Sequence, residues 1–174
     1  MDPEALQMLA DSLRTTMSTA SGGKLDAALT ELGWLDMLDE IPDFAIPLVF
    51  RLLGETGAHA PALNDVVLRA GGATPGETVP LPVAGGSWAV WERGDGPSSA
   101  LDDELPIHRV PQGSPLAPAA LAAGRLALGW WLVGAGRAMR PSAPITRRPA
   151  TASRDTHGRD SRSSRSRQRG SPQP

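Results

Sequence analysis

Gly124-Arg125-Leu126-Ala127-Leu128-Gly129-Trp130-Trp131-Leu132-Val133-Gly134-Ala135-Gly136-Arg137-Ala138-Met139 decides how this chain is read. With Leu116 and Leu121 it makes a Leu-, Ala- and Trp-rich run whose only charges are Arg125 and Arg137. Length and alanine content predict a long buried helix over 116–139. A membrane span needs about 20 consecutive apolar residues. Arg125 cuts the run into shorter stretches, so no span is expected. Gly134 and Gly136 begin a partial G-x-G-x-x-G, but Met139 stands where the third small residue belongs, and Pro141 and Pro144 leave no helix behind it. The glycines therefore read as points where the helix approaches a neighbour closely, not as a dinucleotide fingerprint.

Beyond this run the composition breaks. Residues 1–139 hold 8 Lys/Arg against 17 Asp/Glu, a net of −9, whereas residues 140–174 hold 9 Arg against 2 Asp, a net of +7. The chain total of −2 hides two different polymers. The tail is almost wholly Arg, Ser, Pro, Ala, Thr and Gly, too poor in apolar surface to offset the entropy of ordering it, and is expected to be disordered. Function then falls to the first 139 residues, enough for one modest domain or two small packed layers. The absence of cysteine excludes a disulfide framework, a thiolate nucleophile and Cys-ligated zinc. Met1-Asp2-Pro3-Glu4 lacks the basic start and apolar run of a secretory signal, so a cytoplasmic location is expected.

The N-terminal part reads as helices. Asp2, Pro3 and Glu4 supply a cap, a first-position proline and a first-turn acid, and Leu6, Leu9, Leu13 and Met17 line one face of a helix over 3–20. Leu25, Ala28, Leu29 and Leu32 repeat the pattern up to Gly33. A third helix begins near Asp43 with Ile46, Val49, Phe50 and Leu53 as its stripe, Pro47 being tolerated in the first turn. Further on, Val66-Val67-Leu68, 79–83, 87–92 and 107–110 are short runs separated by Gly-Gly, Pro-Gly and Gly-Asp-Gly, and predict a small antiparallel sheet with Gly85-Gly86-Ser87 as a hairpin turn.

Candidate chemistry is sparse. Asp36, Asp39, Glu40 and Asp43 gather four carboxylates, but no histidine lies near and the calcium-loop glycine is missing, so they read as a solvated acidic connection and no metal site is expected. His59 and His108 lie far apart without a ligand-spaced companion and read as partly exposed structural residues. No G-x-S-x-G elbow occurs. No catalytic residue is assigned.

Three passages carry a family resemblance. Leu29-Thr30-Glu31-Leu32-Gly33-Trp34-Leu35-Asp36-Met37-Leu38, then Leu52-Leu53-Gly54-Glu55-Thr56-Gly57-Ala58-His59-Ala60-Pro61-Ala62-Leu63, and finally Gly124–Met139 resemble, in that order, passages of the flavin-dependent acyl-CoA dehydrogenases. The resemblance implies a mainly α chain with a small β-segment: an N-terminal helical domain over 1–62, a shortened β-segment over 63–112, the first helix of the C-terminal helical domain over 113–139, and the tail over 140–174. It implies FAD as cofactor, acyl-CoA as substrate and an oligomer formed through the 116–139 helix with a second copy or a different subunit. In that family the flavin accepts hydride while a Glu removes a proton. The β-segment here is about half the family's usual length, and the later helices with the catalytic Glu do not follow Met139, so a truncated chain, inactive and flavin-free on its own, is expected. An Arg/Ser/Pro tail is what a GC-rich gene yields out of frame, so a frameshift after Met139 is expected. Alternatives are a non-catalytic subunit of a heteromeric dehydrogenase, its apolar helix exposed until a partner covers it, and a helical module with a basic nucleic-acid-binding tail. The tail has no aromatic residue to stack on bases, so nucleic acid is not the expected partner.

Overall fold

The structure, a computed structural model, describes residues 2–93 and 105–140. Six helices and a small three-stranded antiparallel sheet make up the described chain. Helix α1 (Pro3–Thr19) starts as its sequence dictates, with the Glu4 amide donating to Asp2 Oδ1 at 3.3 Å, and it buries Leu13 and Met17. Helix α2 (Gly22–Glu31) buries Leu25 and Leu29. Gly33 then turns the chain in the left-handed region (φ 77°), a conformation that costs glycine nothing.

The acidic stretch that follows is not a connection. It forms helix α3 (Trp34–Glu40), with Trp34 and Leu38 inward and Asp36, Asp39 and Glu40 outward in water. The carboxylates are solvated as expected, but on a helix whose single i, i+4 apolar pair is too short a pattern to declare itself. Helix α4 (Pro42–Thr56) is the hub of the core, burying Leu48, Val49, Phe50, Leu52 and Leu53. Because α4 begins at Pro42, Pro47 lies beyond the first turn and, lacking an N–H, leaves the Asp43 carbonyl without its helical donor; Asp43 is exposed, where water can donate instead.

Val66-Val67-Leu68 is helical, which corrects the strand read from its two adjacent valines. It lies in α5 (Ala62–Ala70), where Leu63, Val66 and Val67 face the core at helical spacing. Burial of that stripe outweighs the modest cost of β-branched side chains in a helix. The sheet is antiparallel throughout, in the order β1 (Leu81–Pro82), β2 (Trp88–Trp91), β3 (Ile107–Val110). Leu81 faces Ala89, and Val90 faces His108. Pro82 sits on the edge strand, where a missing donor is tolerated, and Gly85 and Gly86 make the turn with φ of 75° and 73°.

Helix α6 (Pro118–Ala138) closes the described fold and is the one helix among the described residues long and apolar enough to cross a membrane. Its inner face is made of Ala120, Gly124, Ala127 and Gly134, all buried. A methyl on Gly54 of α4 would lie 2.7 Å from the Ala135 nitrogen, and one on Gly134 would lie 2.9 Å from the Glu55 nitrogen. Two glycines therefore let the backbones of α4 and α6 touch. The expectation of a buried helix holds for this face only. Leu126, Leu132 and Met139 are 59, 73 and 80 % exposed. Trp131 is held among Trp91, His59 and Phe50, with ring centroids at 5.3, 6.0 and 6.2 Å. The expectation of a disordered tail concerns residues 141–174, outside the described ones.

Candidate functional site

Three features could do chemistry or make contacts. The first is a polar cleft of about 540 Å³ bounded by α2, α3, the start of α5, the 76–78 loop and the end of β2. Asp65 is its best-held group: Trp34 Nε1 donates to one carboxylate oxygen and the Gly76 amide to the other, each at 2.8 Å. Burial raises the Asp65 pKa above its ordinary value, and the two donors pull against that rise. Beside it, Asn64 is buried and gives its amide N–H to the Trp91 carbonyl at 2.8 Å, tying α5 to β2. Asn64 Oδ1 and Trp91 Nε1 have no hydrogen-bond partner among the described residues. Arg93 clamps the third wall, pairing with both oxygens of Asp26 and donating to the His59 carbonyl at 2.6 Å. Each Asp65 oxygen accepts a hydrogen bond from the wall, so the carboxylate acts as a tie between α3, α5 and the following loop.

The second feature is an apolar cavity of about 520 Å³ between the sheet, α5 and α6, walled by Leu63, Val67, Leu81, Ala89, Leu121 and Leu128. Arg125 is the charged residue on its lining. The third is the outer face of α6, where Ala122, Arg125, Leu126, Gly129, Leu132, Val133, Gly136 and Met139 are all exposed.

The residues singled out in the sequence do not converge. Asp36, Asp39 and Glu40 project into water from α3, and no group of carboxylates and histidines among the described residues is arranged to hold a metal. His59 packs on Trp131, and His108 lies 3.8 Å from Glu92, just past the end of β2, both histidines partly buried. Gly134 serves close packing rather than phosphate binding. Sequence reasoning passed over Asn64, Asp65 and Arg93. The signal was there for two of them, since Asn64 and Asp65 interrupt the apolar stripe of α5 on its buried side. Compared with known protein families, with characterised proteins and with solved structures, the chain matches none of them.

Proposed function

We propose that this chain is a non-catalytic assembly subunit of acyl-CoA dehydrogenase-like type, which works through the outer face of α6 instead of turning over a substrate itself. One observation carries the reading: a helix firmly docked by its small residues leaves Leu126, Leu128, Leu132, Val133 and Met139 exposed on its other sides. Such a patch on a folded chain marks an interaction surface. The element order, helices followed by a small sheet and then one long helix, supports the family resemblance.

Charge supports the non-catalytic half of the proposal. FAD carries a diphosphate and needs donors or cations to receive it. The polar cleft is lined by Asp26, Asp65, Glu77 and Glu92, and its cation, Arg93, is already engaged by Asp26. Among the described residues, the cation on the lining of the apolar cavity is Arg125. Neither cavity fits the cofactor, and no step of flavin chemistry is assigned to this chain. The test is a visible absorption scan after reconstitution of the purified chain with FAD, followed by an acyl-CoA dehydrogenation assay with an artificial electron acceptor. The expected result is no stoichiometric flavin band and no turnover. A stoichiometric band with turnover refutes the proposal.

A further inference from the structure

The polar cleft holds more hydrogen-bond acceptors than the fold uses. Asp26 and Arg93 neutralise each other there, which leaves Asp65, Glu77 and Glu92 as carboxylates on its walls without a paired arginine or lysine among the described residues. Glu92 reaches the His108 imidazole at 3.8 Å, and Asp65 is held by uncharged donors, the Trp34 indole and the Gly76 amide. Carboxylates alone are ordinary on a solvated wall. Asn64 makes this wall different. It lines the same cleft and not the apolar cavity, and it is 2 % exposed. Its Nδ2 is spent on the Trp91 carbonyl, and its Oδ1 has no hydrogen-bond partner among the described residues. Turning the amide over would set Oδ1 against that carbonyl, so the bond to Trp91 fixes the oxygen as the free end. A buried acceptor without a donor is costly to the fold and calls for one.

The acceptors lie at two depths. Asn64 and Asp65 are buried, whereas Glu77 and Glu92 are exposed. A donor-rich cation suits such a wall. An alkylammonium carries three N–H donors and no acceptor, so it satisfies oxygens placed on different sides of it. A bare metal ion suits it less, because no group of three metal-binding side chains converges among the described residues and each Asp65 oxygen already receives an N–H. Leu29, Leu35 and the rings of Trp34 and Trp91 give the cleft apolar and aromatic surface, which fits a carbon stem and attracts positive charge.

We infer that the polar cleft binds a short-chain diamine, one ammonium donating to Asn64 Oδ1 and Asp65 and the other held farther out by Glu77 and Glu92. Two depths of acceptor are what call for two charges on one stem. The cleft, about 540 Å³, falls within the usual range of roughly 300–1,000 Å³ for small-molecule sites. The net charge of −9 on residues 1–139 favours the approach of a cation. This site goes beyond the assembly reading and needs no part of it.

Titration of the full chain with 1,4-diaminobutane at constant ionic strength, followed by proton–nitrogen NMR of the indole N–H signals of its five tryptophans, reads binding and place together. Trp34 and Trp91 line the cleft, whereas Trp88 and Trp130 line neither cavity and act as internal controls. The expected result is a saturable shift of the Trp34 and Trp91 signals with a Kd below about 1 mM. Glu77→Gln, at an exposed position, should weaken binding about threefold, and n-butylammonium, which lacks the outer charge, should bind about tenfold more weakly. Asn64→Ala should weaken binding at least about tenfold. That variant also loses the tie to Trp91, so its fold is checked by circular dichroism, and Glu77→Gln tests the site even where Asn64→Ala does not fold. No saturable shift up to about 20 mM, equal shifts at all five indoles, the same shifts from 1,4-butanediol or magnesium chloride, or indifference to Glu77→Gln would each overturn the inference. None of those results touches the assembly reading, which the flavin and turnover assays decide separately.

Discussion

Adding one methyl to Gly134 should destabilise the chain, while the same change two residues later should stabilise it. At Gly134 the added carbon would lie 2.9 Å from both the Arg51 carbonyl carbon and the Glu55 nitrogen. Ordinary contact is about 3.5 to 4.0 Å, both obstacles are backbone, and the Arg51 carbonyl oxygen lies closer still, so α4 and α6 must move apart by at least about 1 Å. A gap of that size forfeits about a quarter to a half of the dispersion energy across the contact. Overpacking typically costs about 1–3 kcal/mol, and unyielding backbone obstacles put this site at about 2–3 kcal/mol, against which alanine returns about 1 kcal/mol of helix propensity. The net loss expected from Gly134→Ala is about 1–2 kcal/mol, a fall of about 3–8 °C in melting temperature for a domain of this size. Gly136→Ala meets no atom of the described residues within 4 Å and should gain about 0.5–1 kcal/mol. Gly54→Ala should behave like Gly134→Ala, and the double variant should lose less than the sum, because one separation of the helices accommodates both methyls. Urea unfolding of dilute protein followed by circular dichroism measures all four. Equal effects of Gly134→Ala and Gly136→Ala, or stabilisation by Gly134→Ala, would refute the docking of α6 on α4.

Other predictions concern the ties and the aromatic centre. Asp65→Ala strips Trp34 Nε1 and the Gly76 amide of their acceptor and should cost about 2–4 kcal/mol, read as a lower urea midpoint. Burial raises the Asp65 pKa above 3.8, so the folded chain keeps that proton to higher pH than the unfolded chain. Its contribution to stability is full below 3.8 and is lost as pH rises through the folded value. Stability measured from pH 3 upward should show this decline in the parent and lack it in Asp65→Asn. Trp131→Ala removes the ring shared by Phe50, His59 and Trp91 and should cost about 2–4 kcal/mol, with a loss of near-ultraviolet dichroism.

Much of this fold was legible because its helices carry repeated apolar spacing. Leu13 and Met17 in α1, Leu25 and Leu29 in α2 and the stripe of α4 announce themselves, as does the hairpin around Gly85 and Gly86. What escaped notice is short or ambiguous. Trp34 and Leu38 give α3 only one repeat, and Val66-Val67 favours a strand until the burial of Leu63 on the same helical face decides otherwise. Arg93 could not be recognised, because its partner Asp26 lies 67 residues away and no local pattern links them. The two-sidedness of α6 was hidden for a related reason. Leu, Ala and Gly occur all round the helix, so composition gives no direction, and only the contacts of Gly124 and Gly134 reveal which side is inside.

Function and assembly both rest on α6 facing two ways, and thiol labelling measures this most directly. The cysteine-free chain permits Ala127→Cys on the docked face and Leu132→Cys on the outer face, each reacted with a maleimide in native buffer at submicromolar concentration. Ala127 is fully buried and Leu132 is 73 % exposed. Leu132→Cys should react about as fast as in urea-unfolded protein, and Ala127→Cys at least about a hundredfold more slowly, held back by the opening of the fold. Equal native rates at the two positions would contradict a helix docked on one side and open on the other.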